Sequence, residues 1–255
     1  MNHLSSTVKS AIIIPARLAS TRLPNKLLLD ETGKPLIQYA WESACRSTLA
    51  ERVIIACDHK KIYEAAKKFG ADVRYTDPNA SCGTDRIAEV AEQLDTEIIV
   101  NVQGDEPLLA AESIDRLIRL LASDPAASMA TLATPIREES ILLDPACVKV
   151  VFDQRGRALY FSRSPIPYPR AGAAAFLNAP EPVFFLHLGI YAYRRDFLLR
   201  YRSMPKSTIE KVESLEQLRA LDNGHTILVD VVQERSVGID TPEDYARFKK
   251  YCQQH

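Results

Sequence analysis

Residues 12–26 read IIIPARLASTRLPNK. An apolar run ends at Pro15, and Arg17, Arg22 and Lys26 follow in a stretch with no acid and no glycine. A buried strand that runs straight into a polar loop is the arrangement of an open α/β sheet, whose ligands bind beyond the carboxyl ends of its strands. Three cations on one loop suit a polyphosphate, because arginine offers forked N–H donors and lysine a point charge. Spacing alone fits a solvated basic loop equally well. No G-x-G-x-x-G and no G-x-x-x-x-G-K-[ST] occurs in the chain, so neither the dinucleotide fingerprint nor the Walker loop accounts for the cations.

The rhythm around this stretch supports the sheet. Residues 11–15, 52–57, 72–75 and 97–102 are short apolar runs that predict strands, and residues 35–47, 60–69, 84–94 and 113–121 have helical spacing. Strands alternating with helices in this way predict a parallel sheet covered on both faces. After about residue 127 the rhythm changes. Residues 128–134, 148–152, 158–162, 186–193 and 226–232 are strand-like, without long helices between most of them. Residues 165–182 hold five prolines and the run AGAAA, which reads as a loop. An amphipathic helix is expected over 209–221, stopped by Asn223-Gly224, and a last helix over 242–252, with Thr241 as its N-cap and Pro242 at its first position.

Composition bounds the function. The 255 residues are 46% hydrophobic and 25% charged, which is ordinary for a globular α/β chain. Lysine plus arginine number 32 against 33 acids, so there is no polycationic surface for nucleic acid and any anion chemistry must be local. Cys45, Cys57, Cys82, Cys147 and Cys252 are widely spaced with no C-x-x-C pair, which suits a reducing cytoplasm and argues against a disulfide framework or a zinc site. The amino terminus shows no signal-peptide pattern, and no apolar run approaches the ~20 residues of a membrane span. The Asn79-Ala80-Ser81 sequon is therefore taken as chance. A single domain over 1–255 is the simplest organisation.

Four further segments carry candidate chemistry. In VNVQGDEP (100–107) a strand runs into Gln103, Gly104 and Asp105. A glycine there lets a ligand approach the backbone, and a carboxylate at a strand end can hold Mg²⁺ against phosphate oxygens. A polar turn that only caps the next helix would look the same. In VGIDTPED (237–244) the acids Glu243 and Asp244 are explained by a helix start, whereas Asp240 precedes the cap. Two carboxylates from distant segments, meeting a basic loop, would complete a metal–phosphate site. Cys82-Gly83-Thr84-Asp85-Arg86 opens a helix with free N–H groups and a hydroxyl, suited to a base edge or a ribose and equally to a plain cap. Arg163 lies just after one strand-like segment and His187 within another, where a structural role is the commoner one.

Taken together, IIPAR-x-A-S-T-R-L-P-x-K, G-K-P-L-I, G-T-D-R-I-A-E-V, V-N-V-Q-G-D-E-P, A-L-Y-F-S-R-x-x-I-P, H-L-G-I-Y-A-Y, E-x-L-E-Q-L-R-A-L and G-I-D-T-P-E-D resemble the 3-deoxy-manno-octulosonate (Kdo) cytidylyltransferase family. The match is collinear over about residues 10 to 250. It implies a GT-A-like, Rossmann-like nucleotidyltransferase fold with a mixed, mostly parallel central sheet flanked by helices and a smaller, partly antiparallel subdomain. It also implies a nucleotide-binding half at about 10–126 and a sugar-binding and dimerisation half at about 127–255. The implied reaction is CTP plus Kdo giving CMP-Kdo and pyrophosphate, with Mg²⁺, in a cytoplasmic homodimer serving lipopolysaccharide synthesis. A related acidic sugar, such as 8-amino-Kdo or another nonulosonate, is the alternative substrate. A glycosyltransferase of similar architecture would want Asp-x-Asp where this chain has Gly-Asp-Glu-Pro.

By this resemblance Arg17, Arg22 and Lys26 hold the triphosphate, Asp105 and Asp240 bind Mg²⁺, and Thr84 and Arg86 lie at the cytosine and ribose end. Gln103 lies near the phosphates or the sugar. Arg163 and His187 contact the sugar carboxylate and hydroxyls, with Tyr191, Glu216 and Gln217 in the same pocket. The chain departs from the family pattern at three places. Asn25 and Leu27 replace a glycine and a proline of the basic loop, and Cys82 replaces a serine before Gly-Thr. Asparagine tolerates positive φ, so the turn is expected to survive.

Overall fold

Strand β1 (Ser10–Ala16) is buried at every residue but Pro15. A strand buried on both faces must be covered on both sides by helices, and this is why its apolar residues run on rather than alternate. In the computed structural model, which describes residues 8–80, 82–233 and 238–254, β1 lies at the centre of a parallel arrangement. The chain forms two compact units, one built from residues up to 118 and from 236 onward, the other from residues 119–235.

In the first unit β1 is followed by α1 (Leu36–Ala44), β2 (Arg52–Cys57), α2 (Lys60–Lys68), β3 (Asp72–Tyr75), α3 (Gly83–Ala91) and β4 (Ile98–Asn101). Helix α4 (Ala111–Ser123) leads out of it. The strand order is β3-β2-β1-β4, parallel throughout. Ile13 sits opposite Ile54 on one side and Asn101 on the other, so the carboxyl ends of β1 and β4 lie next to each other. This places the basic loop after β1 beside the Gln103–Asp105 turn after β4.

The second unit contains β5 (Met129–Pro135), α5 (Glu139–Leu143), β6 (Lys149–Phe152), β7 (Ala158–Ser162), α6 (Ala174–Leu177), β8 (Phe185–Arg194), α7 (Arg195–Tyr201), α8 (Thr208–Glu213), α9 (Gln217–Asp222) and β9 (Ile227–Val231). Strand β5 pairs antiparallel with β8 and parallel with β9, and β6 pairs antiparallel with β7 and β8. The expected mixed α/β fold of mostly parallel strands with some antiparallel ones is thus present. A final helix, α10 (Pro242–Gln254), returns to the first unit. Its Tyr245 and Phe248 pack in one buried cluster with Leu23, Leu36 and Ile239. That cluster joins the last helix to the basic loop and to α1.

Two expectations for the second unit need correction. Residues 165–182 are not wholly loop: α6 forms there because Leu177 drops into a cluster with Ile136, Leu142, Phe184 and Leu186. Residues 209–221 do not form one helix. Ser214 takes a left-handed conformation (φ 53°, ψ 48°) and divides α8 from α9. The carbonyls released by this break are taken by Arg163, whose Nε donates to Glu213 O at 2.7 Å and whose guanidinium also donates to Ser214 O at 3.3 Å. Tertiary hydrogen bonds therefore outweigh the helical periodicity of the segment.

A left-handed residue other than glycine is strained by about 1–2 kcal/mol, of which glycine's extra unfolded-state freedom offsets about half. Ser214→Gly should accordingly raise stability by about 0.5–1 kcal/mol, and Ser214→Val should lower it, both read from urea unfolding midpoints. A glycine variant less stable than the parent would refute the left-handed assignment.

Candidate active site

The basic loop is shaped by one residue. Asn25 has φ 53° and ψ 29°, the left-handed conformation that the usual glycine would supply. The expectation that asparagine preserves this turn is met. The turn leads into a 3₁₀ segment, Lys26–Leu28, closed by Lys26 N–H donating to Leu23 O at 3.1 Å and Leu28 N–H to Asn25 O at 2.8 Å. Leu23 turns into the core, Arg17 and Arg22 stay exposed, and Lys26 is drawn inward.

The Lys26 ammonium then meets two carboxylates. Nζ donates to Asp105 Oδ2 at 2.5 Å and to Asp240 Oδ1 at 2.8 Å. Arg22 pairs with the other oxygen of Asp240 at 3.1 Å. Burial on its own would lower the Lys26 pKa, but the two carboxylates outweigh it and hold the ammonium above its ordinary value. Lys26 is thus a fixed cation.

Each carboxylate is positioned by backbone. Ile239 N–H donates to Asp105 O at 2.9 Å, which brings the Asp240 segment alongside the turn after β4. The Thr241 hydroxyl accepts from Asp244 N–H at 3.1 Å and donates to the Asp244 carboxylate at 2.9 Å, closing the start of α10. Thr241 is the N-cap the sequence predicts, and Asp240 is left to face Lys26 and Arg22. Gly104 has a different use from the one expected. A Cβ added there would stand 2.9 Å from Ile37 Cδ1 and 3.4 Å from the Pro15 carbonyl, so the missing side chain lets the turn pack on the protein itself.

The nucleotide-end candidates are mostly interior. Thr84 and Arg86 are buried on α3. The Arg86 guanidinium donates to Thr76 Oγ1, to Asp77 O at 3.2 Å and to Asp58 Oδ2 at 3.4 Å. Asp58 also accepts from Leu18 N–H at 3.0 Å, so Arg86 and Asp58 together anchor the start of the basic loop. Asp58 was not singled out in the sequence, although it follows β2 as the cations follow β1. A cavity of about 420 Å³ opens here, between Leu18, Ser20 and Asn25 of the loop and Asp58, His59 and Pro78. Gln103 is half-buried just beyond β4.

The remaining candidates belong to the second unit. Arg163 follows β7 directly; besides the two carbonyls at the end of α8 it donates to Pro145 O at 2.9 Å, and its own N–H donates to the Glu213 carboxylate at 2.9 Å. His187 and Tyr191 both project from β8 with ring centroids 5.3 Å apart, and Phe161 of β7 packs edge-on against His187 at 5.0 Å. Burial pushes the His187 imidazole down to about 3, so it is neutral. Burial, with Tyr201 and Glu216 adding negative charge, pushes the Tyr191 phenol up, so it keeps its proton. Gln217 is buried at the start of α9, and the carbonyl of Glu216 accepts from the Tyr201 hydroxyl. Among the described residues no group of three or more His, Cys, Asp or Glu side chains is arranged to hold a metal. A cation here would rest on the pair Asp105 and Asp240 with oxygens from substrate.

Removing Lys26 should expose how far these charges depend on one another. Lys26→Met is expected to cost about 1–3 kcal/mol, less than for a fully buried triad because Asp240 is partly solvated. Adding Asp105→Asn should recover part of that loss, giving a coupling of about 1 kcal/mol in a double-mutant cycle. Since pairing raises the lysine pKa, its contribution is present below about pH 10.4 and fades as pH rises through the higher folded value. Additive losses, or a contribution that vanished near neutrality, would contradict the cluster.

Comparison with known proteins identifies the family. A family model described as cytidylyltransferase matches residues 11–227. The 3-deoxy-manno-octulosonate cytidylyltransferase of Geobacter sulfurreducens is 46% identical over 237 residues, spanning 91% of this chain and 94% of that protein. Those of Rhodopirellula baltica (45%, spanning 94% and 97%) and Syntrophotalea carbinolica (44%, spanning 94% and 96%) are similar. Among solved structures, a CMP:2-keto-3-deoxy-manno-octonic acid synthetase complexed with CTP superposes with a TM-score of 0.90 at 40% identity, covering 96% of this chain and 99% of that one. A cytidylyltransferase from Leptospira borgpetersenii, 20% identical with a TM-score of 0.65, covering 97% of this chain and 88% of that one, shares the fold. The chain belongs to the cytidylyltransferase family, among the 3-deoxy-manno-octulosonate cytidylyltransferases.

Proposed function

We propose that the enzyme transfers CMP from CTP to Kdo, releasing pyrophosphate and supplying CMP-Kdo for lipopolysaccharide synthesis. The observation that carries the reading is the cluster of Lys26, Asp105, Asp240 and Arg22 beside the carboxyl ends of β1 and β4. In the reaction a sugar hydroxyl oxygen bonds to the α-phosphorus, the bond to the bridging oxygen of the β-phosphate breaks, and the hydroxyl proton passes to solvent. Negative charge grows on the leaving pyrophosphate. Arg17, Arg22 and Lys26 offset it; Lys26 is already protonated, and a metal taking Asp105 and Asp240 would release its ammonium toward the phosphates.

The donor set suits Mg²⁺. Asp105 and Asp240 converge on a single cationic atom and offer only oxygen, the hard ligand that this ion selects. Held by these two carboxylates, Mg²⁺ would neutralise phosphate charge and make the sugar hydroxyl more acidic. Thr84, Arg86 and Gln103 serve the nucleotide, Arg86 by holding the loop wall through Asp58. Arg163 keeps guanidinium N–H groups beyond those spent on carbonyls and matches a sugar carboxylate. Neutral His187, with Tyr191, Glu216 and Gln217, suits hydroxyls. The enzyme acts as a cytoplasmic homodimer in this reading; no helix among the described residues is long and apolar enough to cross a membrane.

Pyrophosphate release tests the reaction. It should require CTP, Mg²⁺ and Kdo together, and ATP, GTP or UTP should not replace CTP. Faster release with 8-amino-Kdo or another nonulosonate would move the assignment to that sugar. Asp105→Asn should lose turnover at every Mg²⁺ concentration while keeping its circular dichroism spectrum, and Lys26→Ala should lose on the order of 10²-fold. Full activity in either folded variant would remove that residue from the chemistry.

A further inference from the structure

Strand β8 carries an irregularity that no site residue explains. Thr131 of β5 lies opposite Tyr191, yet its neighbour Leu132 lies opposite Leu188, so Gly189 and Ile190 are extra. Residues four apart on a regular strand stand about 13 Å from each other. The bulge gathers that length and brings the rings of His187 and Tyr191 to 5.3 Å. Bulges of this kind re-aim side chains.

Thr131, fully buried, sits in the bulge. Its hydroxyl oxygen lies 2.8 Å from Ile190 O, 3.1 Å from Leu188 O and 3.1 Å from His187 Nε2. A hydroxyl has a single proton, and carbonyls only accept. Were that proton given to His187, both carbonyls would face lone pairs in a buried site, which is costly. With the proton on the carbonyl side, the hydroxyl oxygen is free to accept, and His187 Nε2 must donate. Nδ1 is then the bare nitrogen, with no hydrogen-bond partner among the described residues.

We infer that Thr131 is a positioning residue: it pins the β8 bulge and fixes His187 as the Nε2–H tautomer, presenting Nδ1 as an acceptor for a substrate hydroxyl. The last clause rests on the proposed sugar-binding role; the tautomer does not. A ring locked in this way is no countercharge for a carboxylate, which leaves that task to Arg163. The depressed basicity of His187 agrees, since Phe161 and Tyr191 surround the ring and neither carries a charge that would favour imidazolium.

The tautomer can be read directly by long-range ¹⁵N–¹H correlation on protein labelled at its five histidines, with His187→Gln to assign the signal. The parent protein and Thr131→Ser should show neutral, Nε2-protonated His187 across about pH 6 to 8. Thr131→Val, which keeps the shape and removes the hydroxyl, should show mixed tautomers, and its KM for the sugar should rise on the order of tenfold with KM for CTP unchanged. An Nδ1–H tautomer or an imidazolium in the parent protein would overturn the inference, as would an unchanged tautomer in Thr131→Val. The spectra need no substrate, so an Nε2–H ring alongside no turnover of Kdo would sink only the choice of sugar.

Discussion

One ammonium group ties the first unit together. Lys26 bonds to Asp105, 79 residues away, and to Asp240, 214 residues away. The ammonium between the two carboxylates offsets the repulsion that like charges in a partly dry site would feel. The apolar packing sets up the meeting: β1 and β4 are neighbours, and α10 fastens Leu23, Leu36 and Ile239 into one cluster. The ion cluster then completes what the hydrophobic contacts begin. A loop that reads as three loose cations in the sequence is in fact two exposed arginines and one anchored lysine.

The same economy runs through the rest of the chain. With a net charge of −1 there is no long-range field to attract an anion, so cations act only where they are placed. Arg86 is spent on the walls, bonded to Asp58 and Thr76, and its effect on a nucleotide would be through the loop it steadies. Arg163 is divided, part helix cap and part free donor. His187 is kept neutral by its surroundings. Each of these basic side chains has a distinct role that its residue type alone does not disclose.

The strands of the first unit were legible because each is a short apolar run bounded by turn residues, and β2 and β3 fall where the runs predict. The start of α10 was legible from Thr241 and Pro242, since capping chemistry is local. The turn at Asn25 was expected because the family resemblance puts a glycine there and asparagine also tolerates positive φ. What the sequence hid is non-local. The break at Ser214 is held by an arginine 51 residues away, and the periodicity of the segment argues for one helix. Helix α6 exists because Leu177 finds a buried cluster. Of the candidate site, residue types at strand ends pointed to Lys26, Asp105 and Asp240, but not to their direct contact. Thr131 left no signal, being a threonine in a strand where threonine is common.

The claim on which the account stands is that Asp105 and Asp240 converge on one point that accepts a cation. Electron paramagnetic resonance of Mn²⁺, as a hard divalent probe, would test it in the presence of CTP without any turnover. The account predicts bound Mn²⁺ in the parent protein and much weaker binding in Asp240→Asn, with CTP affinity measured separately as a control. Undiminished Mn²⁺ binding in a folded Asp240→Asn variant would contradict it, and would return Asp240 to a purely structural partner of Lys26.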